Sequence, residues 1–206
     1  MKPKDLIRIL KDDGWVIDRI KGSHHILKHP NKPGRPVIPL HNEDLKPGTY
    51  NNILNCQQGS NEPCWQFIGG MIMSKIFYPA VFHPEEDGGY SVDFPDLLGC
   101  VTEGNTLAEA IKMAEDALGI YLYSLKEDKE QAPAPSNPAG IKAEGQDFVS
   151  LIEYDEVAYL RRTDNHAIKK TLTIPCWLDT LARERNINFS HLLQNALCKE
   201  LNVTYS

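Results

Sequence analysis

WVIDRIKGSHHILK, residues 15–28, sets the reading of the first part of the chain. Residues 15–21 and 25–28 alternate in polarity around Gly22-Ser23, which predicts a β-hairpin with a tight turn. Upstream, Pro3 stands at a helix start, Leu6, Ile7 and Leu10 fall on one face, and Gly14 supplies a stop. That is a short amphipathic helix. Downstream, Asn31-Lys32-Pro33-Gly34 is turn-rich, residues 36–40 are long enough for a third strand, and Pro47-Gly48-Thr49 opens a second helix that ends near Leu54. The order predicted for residues 1–55 is α-β-β-β-α.

Residues 56–74 have no sustained period and read as a linker; either Met71 or Met73 could have begun a separate chain. A flexible linker here would span about 20–25 Å. Strand patterns resume at 76–82, at 90–94 after Asp87-Gly88-Gly89, and at 99–104. Asn105 or Thr106 can cap a helix over 107–125, the charged, Pro-rich stretch after it reads as an exposed loop, and 148–153 is a further strand. Residues 75–160 are therefore a β-β-β-α-β unit whose sheet is covered on one side, and the fold class is α+β. Residues 161–206 hold a strand at 169–174, a helix to about Arg185, a break at Asn186-Ile187-Asn188, and a second helix to about Leu201. One strand and two short helices close no core alone, so this unit needs a second copy.

The chain has 206 residues, is 41% hydrophobic and 24% charged, and has a net charge of -6. Taken whole, that charge argues against nucleic-acid binding, which draws on Lys and Arg. By segment it does not. Residues 1–55 carry 10 Lys and Arg against 6 Asp and Glu, residues 71–160 carry 5 against 17, and residues 161–206 carry 7 against 4. The chain is basic, acidic, basic. No apolar run approaches a bilayer span and no signal-peptide core follows Met1, so no membrane is expected and the location expected is cytoplasmic. The five cysteines are scattered without a CxxC pair, which suggests reduced thiols and neither disulfides nor zinc.

Gly22-Ser23-His24-His25, flanked by Lys21, Lys28 and Lys32, places imidazole beside positive charge. RNA cleavage needs the 2′-hydroxyl deprotonated and the leaving oxygen protonated, and histidine can shuttle protons at neutral pH. Adjacent strand residues point to opposite faces, so only one of His24 and His25 fits such a site and the other is structural or at the surface. Adjacent strand positions also make poor joint metal ligands.

DLIRILKDDGW, GSHHILKHP and HNEDLKPGTYNNIL, spanning nearly all of residues 3–54, strongly resemble HicA, the small toxin of a bacterial toxin-antitoxin pair. The resemblance implies a double-stranded-RNA-binding-domain-like fold and an mRNA interferase, an endoribonuclease that needs no metal or other cofactor. It places the catalytic histidine at His24; the neighbouring Lys21, Ser23 and Lys28 are the RNA-contact candidates. The stretch after Leu54 departs from the family pattern. FYPAVFHPEEDGGYSVDFPDLLGCVTEGNTLAEAIKMAEDAL and FVSLIEYD resemble HicB, the cognate antitoxin, which implies a partial ribonuclease-H-like fold over residues 75–160. Asp93, Asp96 and Glu115 invite a two-metal reading, but acidic side chains also serve as an electrostatic complement to a basic toxin, and the latter is expected.

KKTLTIPCWLDTLARERNINFSHLLQNAL looks like a ribbon-helix-helix domain. That resemblance implies a homodimer or larger assembly in which Lys169, Thr171 and Thr173 enter the major groove of operator DNA, while the helix start around Asn188 and Ser190 grips phosphate. The expectation is a toxin ribonuclease acting on mRNA, an antitoxin covering the His24 face within or between chains, and autorepression through the C-terminal unit. The alternative is a DNA-binding autorepressor with an inert toxin portion.

Overall fold

Leu6, Ile7 and Leu10, spaced to share one helix face, are the buried stripe of α1 (Pro3–Asp12) in the computed structural model. The structure describes residues 1–41, 43–55, 75–86, 88–164, 166–201 and 203. It divides into two units, Met1–Tyr159 and Leu160–Ser206. Gly14, at φ +98°, ends α1 by returning its N–H to the Lys11 carbonyl, an arrangement that favours glycine. The chain then enters β1 (Val16–Lys21), β2 (His24–Lys28) and β3 (Val37–Pro39), an antiparallel sheet in that order, followed by α2 (Pro47–Asn55). In the register, His24 lies opposite Lys21 and Pro39, and Ile26 opposite Arg19 and Val37.

Strand alternation makes this sheet two-sided. Leu27 and Ile38 face α1 and α2, where they pack with Leu6, Leu10, Trp15 and Ile53. Ile26 and Val37, on the other face, are equally buried but belong to a different core. That second core is built on a four-stranded antiparallel sheet of β4 (Lys75–Pro84), β5 (Tyr90–Asp93), β6 (Val101–Gly104) and β7 (Phe148–Asp155), ordered β6-β5-β4-β7. Tyr78, Ala80, Phe82, Val92 and Ile152 point from it toward α3 (Leu107–Glu127). Thr106 is the residue that caps α3, accepting from Glu109 N–H. Ala117 to Leu122 are all buried, so this half of α3 is covered all round.

Three features differ from the sequence expectation. The second sheet is covered on more than one side: α2 also lies on its outer face, where Gly48 packs against Ser91 and Asn52 Nδ2 donates to Asp93. Gly48 is required there, because a Cβ would sit 2.1 Å from Ser91 Oγ. The Pro-rich stretch after α3 is tied down, with Tyr78 O–H donating to the Pro133 carbonyl and Ser136 N–H to Asp96. A further helix, α4 (Glu156–Thr163), follows β7 directly, started by Asp155 accepting from Ala158 N–H. The linker expected at 56–74 lies outside the described residues.

The second unit holds α5 (Cys176–Glu184) and α6 (Phe189–Glu200). Residues 169–174 form no ladder in the single chain, because a strand needs a partner to be one. Leu172 is 64% exposed and Trp177 65%, and of the large apolar side chains here Ile168, Ile174, Leu181, Leu192 and Leu197 are exposed too. Among the described residues no helix is long and apolar enough to cross a membrane.

Candidate active site

β2 begins at His24, whose side chain shares a sheet face with Ile26 because the two are two positions apart. Its imidazole is 2% exposed and its Nε2 lies 3.2 Å from Thr102 Oγ1 of β6. Burial, with a smaller contribution from His25, pushes the His24 pKa down to about 4. His25 points to the other face and is only half-buried; burial and Lys11 lower its pKa as well. The Ser23 carbonyl accepts from Leu40 N–H at 2.5 Å, which clamps the hairpin end to the chain leaving β3. Lys21, opposite His24, carries its ammonium 6.0 Å from the centre of the Tyr123 ring on α3. Lys28, at the far end of β2, donates to Asp128 at 3.0 Å and Glu130 at 3.4 Å. Lys32 turns away, to Asp13.

Two segments of the acidic middle lie on this face. One is β6. Val101 enters the core of α1 and α2, Thr102 reaches His24 and its carbonyl accepts from the Thr49 hydroxyl, and Glu103 takes two donors. His41 Nε2–H donates to Glu103 Oε1 at 2.7 Å, and Lys46 N–H to Oε2 at 2.8 Å. Before β6, the Leu98 and Gly99 carbonyls accept from Arg35 N–H and Val37 N–H at 3.0 and 2.8 Å. Gly99, at φ +90°, permits that approach: a Cβ there would meet Pro36 N at 2.9 Å.

The other segment is the end of α3. Arg35, 3% exposed, pairs with Asp128 at 2.6 Å and Glu130 at 2.8 Å, and donates to Ser124 Oγ at 2.8 Å. Arg19 pairs with Glu127. Partial burial would raise the Asp128 and Glu130 carboxyls, yet Lys28 and Arg35 hold both below their usual range. Arg19, Arg35, His41, Thr102 and Glu103 were not singled out by the sequence. One signal was present: Glu127, Asp128 and Glu130 crowd a helix C-terminus, where the helix dipole disfavours acid, so a role other than helix stability is implied.

The carboxylates that invite a metal reading are apart in use. Asp93 accepts from His83 and Asn52, Asp96 from Ser136, and Glu115 is exposed on α3. Among the described residues, no group of three or more His, Cys, Asp or Glu is arranged to hold a metal ion. His83 is instead clamped between Asp93 (2.6 Å) and Asp147 (2.7 Å), and the Asp93 hydrogen bond above all raises its pKa to about 9. In the C-terminal unit Lys169, Thr171, Thr173 and Ser190 are exposed, and Asn188 caps α6 by accepting from His191 N–H.

Residues 3–58 match the family model of the HicA toxin of bacterial toxin-antitoxin systems, and residues 78–197, more than half of the chain, match that of the HicB-like antitoxin. The chain belongs to the HicB-like antitoxin family and carries a HicA toxin domain ahead of it. Among curated proteins, Antitoxin HicB 1 of Photorhabdus laumondii is 39% identical over 85 residues, which are 41% of this chain and 51% of that protein. Antitoxin HicB 2 of the same organism is 31% identical over 135 residues, 58% of this chain and 96% of that protein. Antitoxin HicB of Escherichia coli K12 is 42% identical over 59 residues, 29% of this chain and 43% of its own. The chain thus spans about half the length of the first curated relatives it matches. Among solved structures, a toxin-antitoxin complex from Streptococcus pneumoniae aligns with 31% identity over 61% of this chain and 99% of that chain, at a TM-score of 0.40. The HicA–HicB architecture accordingly rests on the family matches, and the contacts above join the HicA-like part to the HicB-like part of one chain.

Proposed function

We propose that residues 1–55 are an endoribonuclease acting on mRNA, with His24 as a proton-transfer residue and Lys21, Ser23 and Lys28 at the RNA, and that residues 75–160 hold it inactive in the intact chain. Residues 56–74 join them, and residues 161–206 pair with a second copy to bind operator DNA and repress transcription. The sub-folds that go with this reading are double-stranded-RNA-binding-domain-like, partial ribonuclease-H-like and ribbon-helix-helix. No metal is required by the chemistry, which is acid-base transfer at the 2′-hydroxyl and the leaving oxygen.

The observation that carries this reading is the burial of His24 against Thr102, in a face whose cations Arg19, Lys28 and Arg35 are all met by acids at the C-terminal end of α3, Glu127 and Asp128. A buried, neutral histidine with no route to substrate is an inhibited one. Linking the two parts in one chain would raise their effective concentration to the order of millimolar, which keeps the face covered. For the C-terminal unit, the exposed Leu172, Ile174 and Trp177 support pairing of copies, and exposed Lys169, Thr171 and Thr173 supply groups suited to a major groove.

The test uses the full-length chain. Asp128→Lys with Glu130→Lys reverses the charges facing Lys28 and Arg35 and places lysine where a helix C-terminus favours it, so it opens the cover without working against α3. The parent should cleave RNA little, the doubly substituted chain should cleave it, and adding His24→Ala should abolish cleavage. Equal cleavage with and without His24→Ala overturns the His24 assignment. An opened chain that shifts operator DNA but cleaves no RNA supports the autorepressor alternative.

A further inference from the structure

One histidine moves one proton at a time, whereas cleavage at a 2′-hydroxyl needs a base for the attacking oxygen and an acid for the leaving oxygen. The geometry points to His41 as the second proton-transfer residue of the HicA-like site, with Glu103 occupying the position of the substrate phosphate in the covered state. This inference rests on the ribonuclease reading given above.

The register places the two imidazoles together. His24 pairs with Pro39, and Leu40 N–H donating to the Ser23 carbonyl carries the ladder one step past β3. Ile38 and Leu40 both pack toward α1 and α2, so the alternation continues and His41 falls on the face of Val37, Pro39 and His24. Diagonal neighbours of this kind lie about 7–8 Å apart, room for a phosphodiester between them. The cover brings neighbouring residues of one strand to the two rings: His24 meets Thr102 and His41 meets Glu103 of β6.

The state of each ring suits a role. His24 is neutral and its Nε2 faces a hydroxyl, the arrangement of a base before it takes a proton. His41 Nε2 lies 2.7 Å from a carboxylate oxygen, so in the covered state an anion already stands where this ring would meet the reacting phosphate. Glu103, almost fully buried, accepts from His41 and from the Lys46 amide beside the start of α2. An anion held by one imidazole N–H and one backbone N–H is what a phosphate oxygen would become there when the cover leaves. In the reaction, His24 takes the 2′-hydroxyl proton, the 2′-oxygen bonds to phosphorus, the bond from phosphorus to the 5′-oxygen breaks, and that oxygen takes the proton of His41. The products are a 2′,3′-cyclic phosphate and a 5′-hydroxyl, and water returns the proton from His24 to His41.

The experiment uses the full-length Asp128→Lys, Glu130→Lys chain with a short RNA, and a second RNA carrying sulfur in place of the bridging 5′-oxygen. His41→Ala should slow cleavage of the normal RNA about 100-fold or more. It should cleave the thio-substituted RNA nearly as fast as its parent, since thiolate leaves without an acid, while His24→Ala should stay slow on both. Rescue also shows that the His41 variant is folded. Unchanged cleavage of normal RNA by His41→Ala, or a loss that sulfur does not restore, overturns the assignment. If the opened chain cleaves nothing, the ribonuclease reading falls, and binding decides the placement of His41: a 2′-deoxy-substituted oligomer should shift the imidazole NMR signals of both His24 and His41. A His41 signal unmoved by the oligomer overturns it.

Discussion

The two basic ends of this chain, residues 1–55 and 161–206, share a sign of charge and differ in what meets it. At the first, Arg19, Lys28 and Arg35 are each paired with acids of the HicB-like part, and the apolar Ile26 and Val37 on the same face are buried in that part's core. At the second, Lys169, Thr171 and Thr173 are exposed, and so are Leu172, Ile174 and Trp177. The first end is complete within one chain. The second leaves these large apolar side chains in water, which is the observation behind the pairing of copies proposed above. Charge therefore does not by itself tell a nucleic-acid surface from a protein interface; the state of the neighbouring apolar side chains does.

The largest expected break in that comparison comes from the acids just past α3. Asp128→Lys with Glu130→Lys leaves Arg35 buried without a carboxylate, a loss of about 3–5 kcal/mol by analogy with other buried pairs. Hydrogen exchange at the amides of β2 should rise by two orders of magnitude or more, a readout that needs no enzymatic activity. Exchange equal to the parent's would show that the ion pairs do not hold the cover.

Removing the apolar surface of the other end comes next. Leu172→Asp should weaken self-association by about 1.5–3 kcal/mol per copy, read by sedimentation, and leave the protection of β2 unchanged. An unchanged assembly would place the contact between copies elsewhere.

Acidity acts on the first end through His24. Its pKa is about 4 when covered and ~6.5 when free, so the open form binds more protons between those values and the cover weakens as pH falls through that window. From pH 7 to pH 5 the loss is about 2 kcal/mol, and His24→Gln should flatten it. His83 gives the opposite limb: with its pKa raised to about 9, its clamp is complete below the free value and is lost as pH rises through 9. Denaturant midpoints against pH check both limbs; a midpoint independent of pH from 5 to 7 contradicts the burial of His24. The smallest effect is expected at Lys169→Ala, which should lower the salt dependence of operator binding by about one unit of log–log slope and leave RNA cleavage by the opened chain untouched.

Much of the fold was legible locally. The hairpin around Gly22-Ser23, the Gly14 stop, the Thr106 cap and the long helix after it each follow from a few neighbouring residues, and each is present. The helix after β7 escaped notice because EVAYLRRT has little apolar pattern, and only Tyr159 in it is buried. The site was half legible. His24 stood out through Gly-Ser and the flanking lysines, whereas His41 and Arg35 sit in ordinary turn-rich sequence and gain meaning from Glu103 and Asp128, residues far along the chain.

Sequence alone determined the local elements, the basic-acidic-basic order and the family to which the chain belongs, because periodicity, turn residues and motifs act over a few positions. Tertiary structure decided which face of the first sheet is covered, that Val101 and Ile26 each lie in the core of the other part, and that His24 of β2 and His41, two residues past β3, meet consecutive residues of β6. Those outcomes depend on pairings between residues some sixty to one hundred positions apart, for instance His41 with Glu103 and Lys28 with Asp128. Periodicity says that a strand has two faces; only packing says what each face meets.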